Sequence, residues 1–237
     1  MRQANLVREE YCVLLHGFTG DPTELAPLTE ALRELEYHVS VPHLAGHDGT
    51  YSGLSGVSAD QWIDSAEKPV IEALERGPVH LIGFSMGALI AAILASKQPI
   101  ASLTMLSPAL NYASPELLLR QAKVFLKGHF QSSSEESEYL RKRPSGFLVT
   151  PPSSVVQFGS VVRRAKQVLY KVTVPVCIIQ GDMDEVIHPK SSQYVYNSVQ
   201  SPHREIHQLP RSRHHVCLDV ESDTVISKVT AFLSHCC

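Results

Sequence analysis

Chemistry is concentrated in four short stretches of this chain. The first is Gly83-Phe84-Ser85-Met86-Gly87, set between an apolar run of strand length, Val79–Phe84, and an apolar run with helical spacing, Met86–Lys97. A serine at a tight strand-to-helix turn is forced into an unfavourable backbone conformation. Side chains two positions before and after it would collide, which is why both positions are glycine. Such a turn lifts Ser85 Oγ above the sheet at a helix N-terminus, where developing negative charge is stabilised. Ser85 is therefore the candidate nucleophile. The second stretch, His16-Gly17-Phe18-Thr19-Gly20, follows the apolar run Tyr11–Leu15, and its two glycines let the backbone turn sharply with amides exposed. Acyl transfer needs two amides aimed at one oxygen, and those of Phe18 and Met86 are the candidates. His16 comes too soon after its strand to be the base and is expected to hold the loop.

A serine hydroxyl needs a base, and the base needs an acid that fixes its tautomer. The third stretch, Gly181-Asp182-Met183-Asp184-Glu185-Val186-Ile187, ends the apolar run Val174–Gln180 and offers three carboxylates. Asp184 fits best, in the turn three residues past Gly181 and before an apolar pair. Asp182 is the alternative, and Glu185 reads as a solvated side chain. The fourth stretch, Arg211-Ser212-Arg213-His214-His215-Val216-Cys217-Leu218-Asp219, follows the run Glu205–Leu209 and carries two adjacent histidines. His215 is chosen over His214 because Val216, Cys217 and Leu218 would pin it inward. His203 and His207 have an H-x-x-x-H spacing, but on a strand they lie about 13 Å apart, too far to share an ion. No metal and no cofactor is expected.

These residues need a scaffold that brings distant loops together. Apolar runs of strand length recur at Tyr11–Leu15, Tyr37–Val41, Val79–Phe84, Ser102–Leu106, Val174–Gln180 and Glu205–Leu209. Most are nearly continuous, as in strands covered on both faces of a parallel sheet. Between them, helical spacing appears over Pro22–Leu35, Ala59–Arg76, Met86–Lys97, Ser191–Val199 and Asp219–Leu233. The alternation predicts an α/β fold with a mainly parallel sheet of six to seven strands and helices on both faces. Residues 111–171 interrupt the rhythm, with helical spacing over Leu117–Phe125 and Val155–Val168. A connection that long is rarely structureless. It is expected to be a helical cap within one domain spanning 1–237, rising where open α/β sheets place ligands.

Composition excludes several function classes. With 237 residues, 43% hydrophobic and 19% charged, the chain can bury roughly 70% of its unfolded surface without metal or disulfide staples. Its 24 acids, 21 bases and net charge of −3 leave no basic surface for nucleic acid. Gly77–Ser96 is free of formal charge over a membrane-spanning length, but Pro78, Gly83 and Gly87 break it into strand, turn and helix, so no membrane insertion is expected. Five cysteines without a C-x-x-C pair suit a reducing compartment, and the polar N-terminus lacks a signal sequence, which points to the cytoplasm. Cys236 and Cys237 form a double-cysteine end, but no polybasic segment precedes them, and a frayed tail is expected rather than a lipidated one.

Together HGFTG, GFSMG, GDMDEVI and HHVCLD resemble the small carboxylesterases and monoacylglycerol lipases of the α/β-hydrolase superfamily over nearly the whole chain. The resemblance implies Ser85 as nucleophile, Asp184 as acid, His215 as base, and the Phe18 and Met86 amides as oxyanion hole, the same five that the residues suggest. Gly46-His47-Asp48-Gly49 departs from the family's Gly-His-Gly, and Arg213-His214 replaces its usual pair before the histidine. These changes bear on substrate preference rather than on the reaction. The implied activity is hydrolysis of short- to medium-chain carboxylic esters or monoacylglycerols, with Leu117, Leu118 and Phe125 supplying an acyl pocket. The expected partner is a small-molecule ester. A thioesterase or carbon–carbon hydrolase of the same fold is the alternative, and an inactive fold used for binding is a third reading.

Overall fold

The structure is a computed structural model that describes residues 9–110 and 150–236. Six parallel strands form one sheet: β1 Tyr11–Leu15, β2 His38–Ser40, β3 Val79–Phe84, β4 Ser102–Leu106, β5 Val176–Gly181 and β6 Arg204–Leu209, in the spatial order β2-β1-β3-β4-β5-β6. The four inner strands are buried along almost their whole length. Their continuous apolar runs therefore mark strands covered on both faces. The short edge strand β2 and the half-polar edge strand β6 are only partly covered.

The helices divide between the faces. α1 (Ala26–Glu34) and α7 (Ser222–Ser234) cover one face, closing a core of Leu14, Leu28, Ile82, Ile179, Val225 and Phe232. On the other lie α3 (Ala59–Leu74), α4 (Met86–Ala95), α5 (Pro152–Val168) and α6 (Lys190–Ser198), while α2 (Tyr51–Leu54) is a single turn. Every residue of α4 is buried, because the sheet lies beneath it and α3 and α5 lie against it. That arrangement explains the apolar run that mimicked a membrane span. No described helix is long and apolar enough to cross a membrane.

Two differences from the sequence reading have local causes. The first predicted helix is split into a 3-10 turn, Pro22–Leu25, and α1, with Pro27 in the first turn of the new helix, where its missing N–H costs nothing. Asp21 caps the 3-10 turn through Oδ1, which accepts from Thr23 N at 2.8 Å. Helix α5 begins earlier than its periodicity suggested, with Pro152 at its first position. Of the expected cap, α5 is described and packs on α3 and α4. Leu117, Leu118 and Phe125 lie outside the described residues.

Candidate active site

The turn after β3 has the geometry its sequence requires. Ser85 has φ 54°, a left-handed conformation that L-residues avoid. A Cβ at Gly83 would stand 2.3 Å from Gly87 O, and one at Gly87 would stand 2.1 Å from Leu15 O. Glycine is thus required on both sides, and the second glycine lets the turn pass against β1. Ser85 N–H donates to Leu106 O at 2.8 Å, which anchors the strained residue to the end of β4.

The imidazole beside this serine is His214, not the expected His215. His214 Nε2 lies 3.0 Å from Ser85 Oγ, and Nδ1 lies 2.8 Å from Asp184 Oδ2. Hydroxyl, imidazole and carboxylate are therefore in line. The Asp184 side chain is fully buried and its lone pairs are occupied. Oδ1 accepts from the Val186 and Ile187 amides at 2.8 and 2.7 Å, and Oδ2 also accepts from Gln180 Nε2 at 2.7 Å. Such a carboxylate is fixed in orientation and can hold Nδ1–H, leaving Nε2 free to take the serine proton. His214 O accepts from Ser107 Oγ at 2.9 Å, so the loop is pinned from below. Glu185 reaches the same loop through the backbone, accepting weakly from His214 N at 3.4 Å.

His215 turns the other way. Its Nε2 lies 3.2 Å from Glu24 Oε1, within the core beneath the loop. The ring is buried as expected, but it faces the 3-10 turn Pro22–Leu25 before α1 rather than Ser85. Glu24, within the run Pro22–Leu35 that has helical spacing, is buried. Its Oε2 accepts from Gly17 N–H at 2.8 Å. One carboxylate therefore ties the HGFTG loop to the histidine loop. A side chain at Gly20 would overlap that carboxylate at 2.2 Å.

His16 supports the same loop. Its Nε2 accepts from Leu44 N–H at 3.0 Å, so Nδ1 carries the proton and donates to Gly17 O at 2.9 Å. Burial holds its pKa below the ordinary value, which keeps it neutral. His47, behind it, is depressed to about 4 by burial and by His16. With Gly17 N–H committed to Glu24, the next amide, Phe18 N–H, has no acceptor among the described residues, nor has Met86 N–H at the start of α4. The Phe18 ring stacks on Phe158 of α5 with centroids 5.1 Å apart and meets Trp62 edge-on at 5.6 Å.

A different group of polar side chains, Cys177, Glu205 and His207, lies toward the other end of β5 and β6, with ligand atoms within 4.8 Å of one another. The H-x-x-x-H spacing paired His207 with His203, whereas its neighbours are Glu205, two residues earlier on β6, and Cys177 on the adjacent strand β5.

Comparison with known proteins agrees with this architecture. The sequence is 25% identical over 94% of the chain to a thermostable monoacylglycerol lipase of Bacillus sp. (strain H-257), covering 89% of that protein. It is 22% identical over 93% of the chain to a carboxylesterase of Bacillus subtilis (strain 168), covering 91% of it. A solved structure from work on LipS and LipT, two metagenome-derived lipolytic enzymes, superposes with a TM-score of 0.83 at 24% identity, covering 96% of this chain and 94% of that one. The Hydrolase_4 family, described as serine aminopeptidase, S33, matches residues 8–221, and the chain belongs to that family of α/β-hydrolases.

Proposed function

We propose that the protein is a serine carboxylesterase acting on short- to medium-chain esters or monoacylglycerols through an acyl-enzyme on Ser85. The observation that carries this reading is the in-line contact of Ser85 Oγ, His214 and Asp184. His214 Nε2 removes the serine proton as Oγ attacks the ester carbonyl. The oxyanion is held by the Phe18 and Met86 amides, with the N-terminus of α4 adding its dipole. His214 then gives its proton to the departing alcohol, and a water repeats the sequence to release the carboxylic acid. Gly17 N–H, bonded to Glu24, serves the loop rather than the substrate.

The substrate class rests on the similarity to a monoacylglycerol lipase and a carboxylesterase and on the apolar surface of Phe18, backed by Phe158 and Trp62 beside the proposed oxyanion amides. The connection 111–171 is proposed to cap this surface within a single domain, with Leu117, Leu118 and Phe125 in its acyl pocket. A cytoplasmic address is part of the same reading, supported by the buried thiols of Cys177 and Cys217.

The test is hydrolysis of p-nitrophenyl butyrate together with labelling by a fluorophosphonate probe. Ser85→Ala is expected to abolish labelling and lower kcat/KM by ~10⁴-fold or more. A variant that keeps a tenth of the activity would remove Ser85 from the mechanism.

A further inference from the structure

We propose that Cys177, Glu205 and His207 form a binding site for one thiophilic divalent cation, with Zn2+ the best fit, at the amino ends of β5 and β6 and separate from the Ser85 centre. Cys177 lies four residues before Gly181, about 13 Å along β5 from the strand end that leads to Asp184. The β5–β6 ladder sets Cys177 opposite Glu205. His207, two residues further along β6, projects from the same face. A thiolate, an imidazole and a carboxylate are a ligand set that Zn2+ takes, and two hydrogen-bonded strands hold it without ordering a loop. Tetrahedral bonds of ~2.0–2.3 Å place donor atoms about 3.4 Å apart. His207 Nε2 and Glu205 Oε1 are already 3.1 Å apart, and all three donors fall within 4.8 Å.

One member of the group is unsatisfied as it stands. His207 Nε2 is buried and, although beside Glu205, forms no hydrogen bond of acceptable geometry among the described residues. A buried nitrogen of this kind costs stability, and a bound cation would occupy its lone pair. The Cys177 thiol is fully buried beside the Glu205 carboxylate. This is the wrong environment for a nucleophilic cysteine, whereas a divalent cation would supply the charge that thiolate and carboxylate both lack. Binding would release the thiol proton and would therefore weaken as pH falls. Entry is from the open edge of β6, where Glu205 is 43% exposed.

The test is titration of the full chain, stripped of metal by a chelator, with Zn2+ by calorimetry and with Co2+ by absorption. Expected are one Zn2+ per chain, a sulfur-to-cobalt charge-transfer band, and a rise in Tm with Zn2+. Cys177→Ala should abolish the band. His207→Ala, on the edge strand and safer for folding, should weaken Zn2+ at least ~10-fold and remove the Tm rise while ester hydrolysis stays at the wild-type rate. Absence of the charge-transfer band at saturating Co2+, its persistence in Cys177→Ala, or wild-type Zn2+ affinity in His207→Ala would each overturn the proposal.

Discussion

The two ends of β5 and β6 carry similar kinds of side chain in different orders of contact. At the carboxyl end a histidine stands between a hydroxyl and a carboxylate, His214 touching both Ser85 and Asp184. Toward the amino end a carboxylate stands in the middle, Glu205 meeting the Cys177 thiol on one side and His207 on the other. The first order lets a proton move from nucleophile to base with an acid behind it. The second puts a negative charge against the thiol, which opposes formation of a thiolate. Order of contact, rather than composition, separates a reaction centre from a ligand set. The carboxyl-end acid also has its remaining lone pairs filled by the Val186 and Ile187 amides and Gln180, while the amino-end imidazole has a nitrogen unfilled.

The largest effect that sharpens this contrast comes from removing each acid. Asp184→Asn should lower kcat for ester hydrolysis by ~10⁴-fold through the wrong imidazole tautomer. Glu205→Gln, by contrast, should stay within about twofold of wild type, as a surface change away from the reacting atoms. Comparable losses in steady-state kinetics would break the distinction between the ends.

A smaller effect concerns stability at the carboxyl end, where His47 has no carboxylate bonded to it and its pKa is depressed to about 4, first by burial. A group whose folded pKa lies below its unfolded value of 6.5 stabilises the fold fully above that pH and loses the contribution as pH falls toward 4. Between pH ~7 and pH ~5 the cost is about 2 kcal/mol. Urea unfolding should show this slope in the wild type and a shallower one in His47→Gln. Identical slopes would mean that His47 does not remain neutral in the fold.

The serine turn could be read from the sequence because its cause is local. The glycines at 83 and 87 are forced by backbone contacts within or beside the same turn, and the apolar runs on either side bound it. The four inner strands were legible for a related reason, since burial on both faces leaves continuous apolar runs. Choosing between His214 and His215 was not a local matter. Adjacent loop residues face opposite ways, and which way is set by Glu24, 191 positions away from His215, and by the hold of Ser107 on His214 O. Glu24 gave no signal of its own, because an acid in a first helical turn is ordinarily solvated. Likewise, the grouping of Cys177 with Glu205 and His207 depends on the register of two parallel strands, which a single strand's spacing cannot state.

The choice between the adjacent histidines bears most directly on the mechanism. kcat/KM for p-nitrophenyl butyrate is to be measured for His214→Gln and His215→Gln, with urea midpoints confirming that both variants are folded. The account predicts a loss of ~10⁴-fold or more for His214→Gln and of less than ~100-fold for His215→Gln, whose partner Glu24 holds a loop and not a proton in flight. The opposite ranking, with His214→Gln retaining most of the activity, would contradict it.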